Sequence, residues 1–332
     1  MTDSVPSVLV SGGAGYIGSH TVKQLIEAGF AVTVYDNLSS GFAWSVPDAE
    51  LVVGDLADAT RLDEVFRRCR PVAVMHFAAN IWVGESVREP ARYYRNNVAN
   101  ALNLFEAAAH HQIGAVVFSS TAAVYGEPDV ELIDESLPLA PINPYGASKM
   151  MAERVLQDVA RAGSMRTAIL RYFNVAGAAL DGSIGEATPN NSHLVKVACE
   201  TARGLRNGMQ INGTDYPTPD GTCIRDYIHV QDLADAHVAA LRHLLAGGAD
   251  LVLNCGYGHG LSVREVLEAV RRITGVPFEI REGPRRPGDP PRLVAANQRI
   301  LETLDWRPAY DDLELIIETA WRFEQKLAAG AF

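Results

Sequence analysis

A tyrosine stands four residues before a lysine in Pro144-Tyr145-Gly146-Ala147-Ser148-Lys149. On a helix, positions four apart share one face. An ammonium about 6 Å from a phenol, at an effective dielectric near 20, favours the phenolate by nearly 3 kcal/mol, about two pKa units. Tyr145 is therefore expected to act as a base near neutral pH, tuned by Lys149. A second hydroxyl source lies in Phe118-Ser119-Ser120-Thr121-Ala122-Ala123-Val124-Tyr125-Gly126, which follows an apolar run. Thr121 is placed to hydrogen-bond a reacting hydroxyl and to pass its proton to Tyr145. A Tyr/Lys pair alone is as readily two surface residues on a helix, and the reading depends on what surrounds it.

The chain supplies that context near its start. Gly13-Ala14-Gly15-Tyr16-Ile17-Gly18 fits G-x-G-x-x-G, and Gly12, Gly15 and Gly18 fit the wider G-x-x-G-x-x-G spacing. The run follows a strand pattern and opens a helix, the setting in which small residues let the backbone approach a pyrophosphate at a helix N-terminus. Asp36 closes the next strand, where an acid binds adenosine ribose hydroxyls. A 2′-phosphate roughly 5 Å from it would cost about 3 kcal/mol, so NAD is expected rather than NADP. Asp55 ends the third strand and is a candidate for the adenine amino group, or a turn residue.

Short β-branched runs alternate with amphipathic segments through Tyr172: strands at Val8–Ser11, Val32–Tyr35, Leu51–Val53, Val72–His76, Ala115–Ser119 and Thr167–Tyr172. Helices are expected at Ile17–Ala28, Arg61–Cys69, Val98–His110 and Tyr145–Arg161. This predicts an α/β fold, a Rossmann-type doubly wound parallel sheet. After Gly177 the rhythm weakens into loops at Asp181–Asn191, Asn212–Gly221 and Gly283–Pro291, with helices at Ser192–Gly204, Val230–Leu245, Val263–Thr274 and Leu313–Lys326. We expect an NAD-binding domain over 1–177 and a smaller α/β substrate-binding C-terminal domain over 178–332, intertwined, with some segments returning to the first.

The 332 residues carry 29 Lys and Arg against 40 Asp and Glu, a net charge of −11, which argues against a nucleic-acid surface and leaves any anionic ligand to local arginines. The four cysteines form no C-x-x-C pair, so neither a metal site nor a disulfide framework is expected. The opening Met-Thr-Asp-Ser-Val-Pro lacks a basic leader, and no apolar run reaches membrane length, so a cytoplasmic location without membrane partners is expected.

These motifs resemble the extended short-chain dehydrogenase/reductase superfamily, and more closely the UDP-glucose 4-epimerases. The likeness runs along nearly the whole chain through GGAGYIGSHT, YDNLSSG, HFAA, VGESV, YYRNNV, FSSTAAVYGE, NPYGASK, LRYFN, DYPTPDGTCIRDYIHVQDLADAHV and PRRPGD. The resemblance implies interconversion of UDP-glucose and UDP-galactose with tightly held NAD, Tyr145 acting as base with Thr121 and Lys149. It implies cofactor contacts at Gly12, Gly15, Tyr16, Ile17, Gly18, Asp36, Asn37, Asp55, Leu56, Phe77, Ala78, Ala79, Asn97, Tyr145, Lys149 and Tyr172. It implies substrate contacts at Thr121, Tyr145, Asn174, His193, Leu194, Gln210, Ile211, Arg225, Arg286 and Asp289. Asn174 and the two arginines would hold the diphosphate, and Asp289 the uridine ribose. A homodimer through the helices around Val98–His110 and Lys149–Arg161 is also implied.

Three positions depart from the resemblance. Many members carry a lysine three residues before the Val-Gly-Glu-Ser stretch, where this chain has Ile81-Trp82 ahead of Val83. His193 stands where an asparagine often meets substrate. Leu293 stands where a bulky tyrosine excludes N-acetylated sugars and a small residue admits them, so a UDP-N-acetylhexosamine or UDP-pentose 4-epimerase is the alternative reading. A nucleotide-sugar 4,6-dehydratase would carry Asp-Glu after the threonine, where this chain has Ala122-Ala123. A non-catalytic NAD-binding regulator could dispense with Tyr145 and Lys149.

Overall fold

The structure, a computed structural model, describes residues 5–189, 191–286 and 288–332. The N-terminal tetrapeptide, one residue of the Asp181–Asn191 loop and Pro287 of the Pro-Arg-Arg-Pro-Gly-Asp motif lie outside the described residues.

Apolar runs such as Val8-Leu9-Val10 and Val116-Val117-Phe118 are covered on both faces, which is what a parallel sheet flanked by helices requires. The strands are β1 (Ser7–Ser11), β2 (Ala31–Asp36), β3 (Glu50–Val53), β4 (Ala73–His76), β5 (Ala115–Thr121) and β6 (Arg166–Tyr172). With a seventh strand, Leu251–Cys255, the sheet runs in the order Leu251–Cys255, β6, β5, β4, β1, β2, β3. Every pairing is parallel. The order reverses between β1 and β4, and the crevice beyond their C-terminal ends is where such sheets take ligands.

The sequence pattern places the first six strands within one or two residues. It leaves the Leu251–Cys255 strand out, because that strand comes after a long excursion into loops. This strand pairs with β6, and the helix Val230–Leu245 packs on helix α1 (Tyr16–Glu27), on β5 and on β6. The helix expected from Val98 begins instead with a π-turn over Arg95–Ala99 that leads into Asn100–His110. Smaller pairings carry the substrate-side residues. Asn174–Ala176 pairs with Tyr227–His229, and Ile224–Arg225 pairs with Arg292–Leu293 and with Leu261–Ser262.

The helix Pro144–Arg161 bears the Tyr/Lys pair and is fixed against the sheet by buried charge. Pro144 occupies the first turn, where its missing N–H costs nothing, and Asn143 caps the helix by accepting the Gly146 N–H. Glu153, 2% exposed, receives Arg171 from β6, 5% exposed, through Nε to Oε1 at 3.0 Å and Nη2 to Oε2 at 2.6 Å. Ser120 of β5 also donates to Glu153 Oε1. Arg171 Nη1 donates to Tyr125 Oη at 2.9 Å, and Tyr125 Oη donates to Asn254 Oδ1 at 2.7 Å. Asn254 in turn donates from Nδ2 to the Ile133 carbonyl and from its backbone N–H to Glu135 Oε1, both at 2.7 Å. One network thus joins this helix to three adjacent strands of the sheet.

Breaking a buried pair leaves an uncompensated charge, at a cost of about 3–5 kcal/mol. Arg171→Met should lower the urea unfolding free energy by that amount. Arg171→Met with Glu153→Leu should be less damaging than the single change, and an equal or larger loss in the double variant would contradict this account.

Candidate active site

The crevice is built first by close approach. Gly12 has φ +72, and a Cβ there would lie 2.4 Å from the Ala78 nitrogen; a Cβ on Gly18 would lie 2.2 Å from the Gly12 carbonyl oxygen. Only glycine lets the turn after β1, the start of α1 and the end of β4 meet. Gly15 is the N-cap of α1 and has no side chain with which to cap it, so the first-turn N–H groups are available to an anion. Tyr16 and Ile17 open this turn, and the Tyr16 phenol itself is directed elsewhere, donating to the Gly177 carbonyl at 2.7 Å. A pyrophosphate fits this cradle on shape and on donors alike.

Asp36 sits at the rim, 8% exposed, accepting the Ala14 N–H at 3.0 Å and the Leu38 N–H at 2.8 Å. Burial raises its pKa, and those two N–H groups oppose the rise. Asn37 Nδ2 donates to Asp55 Oδ2 at 2.7 Å, which brings the two predicted adenosine contacts into one unit. Leu56 is buried in the core beside them. Phe77 and Ala78 anchor to the Ser11 carbonyl through their N–H groups, and Ala79 continues the same segment.

Asn97, expected as a cofactor contact, also holds the neighbouring loop. Its Oδ1 accepts the Asn80 N–H at 2.8 Å, and its Nδ2 donates to the Asn80 carbonyl at 2.9 Å and to Ser148 Oγ at 3.0 Å. Ser148 Oγ returns to the Tyr145 carbonyl at 2.7 Å. Asn97 therefore ties the segment after β4 to the turn of helix that carries Tyr145. At the missing lysine, Ile81 is 40% exposed and Trp82 is fixed by its backbone to the Tyr93 hydroxyl. The Trp82 indole N–H is buried and without a partner among the described residues.

Thr121 ends β5 and caps the following short helix by accepting the Ala123 N–H at 3.1 Å. Its own proton remains for Tyr145, and that hydrogen bond lowers the Tyr145 pKa. Burial has the opposite and larger effect, raising the phenol above its ordinary value. Lys149 is 3% exposed with its Nζ 4.5 Å from the Phe118 ring centre, and burial brings it down to about 7, opposed by Glu153. Burial thus raises Tyr145 and lowers Lys149, against the simple expectation that an ammonium beside the phenol brings it down by about two units. Tyr172 closes the far side, its hydroxyl 2.5 Å from Ser119 Oγ.

On the substrate side, Asp226 is fully buried and its carboxylate accepts the N–H groups of Tyr257 at 2.9 Å, Gly258 at 3.1 Å and Ala295 at 3.2 Å. These bonds hold the strand that carries Arg225. Arg225 Nη2 meets Asp289 Oδ1 at 2.5 Å and Arg286 Nη2 meets Asp289 Oδ2 at 2.9 Å, so two arginines, one of them 64 residues away in sequence, converge on one carboxylate. Leu293 is the register partner of Arg225 and packs against the cluster of Ala122, Val124, Tyr125 and Ile133. Asn174 begins the strand paired with Tyr227. Burial would lower His193, but Glu186 Oε1, 2.7 Å from Nδ1, more than offsets this, and the net shift is upward. Leu194 packs on the core, Ile211 is buried in it, and Gln210 is directed to Asn212 Oδ1 at 2.9 Å. For Ile211 only the backbone is left to contact a ligand.

The sequence reading missed Glu153, Arg171, Tyr125 and Asn254. A signal existed for the first, since Glu153 lies four residues beyond Lys149 on the same helix face.

The model of the "NAD dependent epimerase/dehydratase family" matches residues 8–256. A UDP-glucose 4-epimerase of Azospirillum brasilense is 54% identical over 98% of this chain and 95% of its own length. The UDP-glucose 4-epimerase of Brucella ovis, solved in complex with NAD, is 47% identical and superposes with a TM-score of 0.93 over 96% of this chain and 98% of that one. The UDP-Glc/GlcNAc 4-epimerase of Campylobacter jejuni is 45% identical, with a TM-score of 0.86 over 97% and 99%.

Unfolded chains hold the lysine proton to about 10.5, whereas folded Lys149 releases it near 7. The unfolded state then binds more protons between these values, and this group's contribution to stability rises with pH across that window. In protein stripped of dinucleotide, the stability of the parent relative to Lys149→Met should rise by roughly 1.4 kcal/mol per pH unit from 7 to 9. Denaturant titrations showing a flat or falling difference would refute this.

The glycine cradle, the Thr121–Tyr145–Lys149 group and the paired arginines agree with these likenesses, and the chain belongs to the NAD-dependent epimerase/dehydratase family, among the UDP-glucose 4-epimerases.

Proposed function

We propose that this chain interconverts UDP-glucose and UDP-galactose by transient oxidation at sugar C4, with one NAD kept in place. The observation that carries the reading is the Thr121 hydrogen bond to Tyr145 on the helix that also carries buried Lys149, together with two arginines gathered by Asp289. Bound NAD supplies a reversible hydride acceptor at C4. Gly12, Gly15 and Gly18 admit its pyrophosphate, Asp36 and Asn37 take the adenosine end, and Lys149 and Tyr172 border the other.

Tyr145 Oη removes the proton of the sugar 4-hydroxyl, with Thr121 in the proton path. Lys149, brought down to about 7, can release or take up a proton near neutral pH, which lets it balance the charge that forms on Tyr145. Arg225 and Arg286 turn from Asp289 towards the diphosphate, bidentate donors well matched to phosphate oxygens. Asp289 is then free to accept from the uridine ribose. Holding the diphosphate while leaving the sugar few fixed contacts lets the 4-keto sugar present either face before it is reduced.

We further propose a homodimer in the cytoplasm. Val83 and Val87 are 45% and 62% exposed on the helix Val83–Arg88, which packs on the Pro144–Arg161 helix where Met151 is 41% exposed. The apolar patch supports pairing through this face. The four cysteines, all free, support a reducing compartment. No helix among the described residues is long and apolar enough to cross a membrane.

Purified protein given UDP-galactose without added NAD should form UDP-glucose, and denaturation should release NAD. Tyr145→Phe should lower kcat by about 10²–10⁴ while leaving the NAD content unchanged. Equal turnover by the variant would rule out Tyr145 as the base. In light scattering the parent should run as a dimer and Val87→Asp as a monomer, and a monomeric parent would remove the proposed interface.

A further inference from the structure

The loop after β2, residues 37–46, folds back onto the glycine turn. Phe42 N–H and Ser45 Oγ both donate to the Ala14 carbonyl at 3.0 Å. Gly41 lies so close that a Cβ there would stand 2.8 Å from the Ala14 carbonyl carbon. Loop and turn therefore move together, and the loop forms the wall beside Asp36 and Asn37.

The outer side of this loop is aromatic. Trp44 stacks on Phe42 with ring centres 5.4 Å apart at 29°, and on Phe332 at 4.6 Å and 25°. Phe323, buried on the helix Leu313–Ala328, lies 6.3 Å from Trp44 and 5.2 Å from Phe332. Phe332 is itself 42% exposed, so it belongs to no core, and its principal partners are these rings. The same helix holds α1 by a second route. Lys23 of α1 meets Asp181 at 2.5 Å, and Lys326 donates to the Asp181 carbonyl at 2.9 Å. Both halves of the cradle, its helix and its loop, are thus moored to Leu313–Ala328.

Resting on the function proposed above, we propose that Phe332 and Trp44 form an aromatic latch that closes the loop over the adenosine half of the dinucleotide and sets how slowly it leaves. Both are positioning residues that act through the loop. An enzyme that returns the same hydride to its substrate has no use for cofactor exchange, and the latch suppresses it. Dinucleotide release requires the loop to lift from the turn, and lifting it separates Trp44 from Phe332.

The test measures release directly. Protein loaded with NADH is mixed with excess NAD and the loss of bound-NADH fluorescence is followed. Phe332→Ala and Trp44→Ala should each release NADH about tenfold faster, about 1.4 kcal/mol, the range expected of one or two aromatic contacts. Phe332→Tyr should match the parent. Unchanged release in both alanine variants would overturn the latch, as would a Phe332→Tyr variant as fast as Phe332→Ala. Epimerisation of UDP-galactose by the same parent preparation is scored separately. Failure there, with release still accelerated in the variants, would count against the functional reading and leave the latch standing.

Discussion

The buried pair between Glu153 and Arg171 is the constraint around which the site is arranged. Two charges so far from water are stable only when every lone pair and proton near them is used, and here Ser120, Tyr125 and Asn254 complete the set. Glu153, Lys149 and Tyr145 recur at intervals of four on one helix, so fixing Glu153 fixes the rotation of the helix about its axis. A helix held by apolar contacts alone could roll by a fraction of a turn at little cost. Such a roll would carry the Tyr145 hydroxyl away from Thr121. The pair also reaches the chemistry electrostatically, since Glu153 opposes the fall of the Lys149 pKa that burial causes.

The two ends of the crevice handle negative charge in different ways. At the cradle backbone N–H groups at a helix start are the donors an anion would meet, brought close by glycines that a Cβ would block. On the proposed substrate side, guanidinium groups would meet the anion, in a chain of net charge −11. Asp289 keeps Arg225 and Arg286 together and offsets only one of their two charges, which leaves a net positive charge for an anion. Asp226, beside Arg225 and held by three N–H groups, keeps that strand from shifting as partners change. Rigid backbone with exchangeable side-chain partners suits a site that must grip a diphosphate and let a sugar turn.

Much of this was legible beforehand because the signals were local. The glycine spacing, Asp36 at the end of β2, the Tyr/Lys interval and the apolar strands each depend on neighbours within a few residues. The Leu251–Cys255 strand was not legible, since its place beside β6 depends on partners about eighty residues earlier. Asn97 shows the same limit: its type fits a polar contact to a cofactor, but its bonds to Asn80 and Ser148 needed the fold to appear. For Ile211 and Leu194, burial narrowed what their side chains can do.

The sequence by itself determined which groups are available: a turn that only glycine can make, a phenol and an amine on one helical face, a threonine at a strand end, and arginines in a motif rich in proline and glycine. The tertiary structure decided their charge and their company. How strongly Lys149 can lower Tyr145 depends on how much water each has lost, a property of packing that no spacing encodes, and burial raises the one and lowers the other. That Arg225 meets Asp289, and that Phe332 reaches Trp44, likewise required the chain to close on itself, because contacts between segments far apart in sequence follow from the fold as a whole.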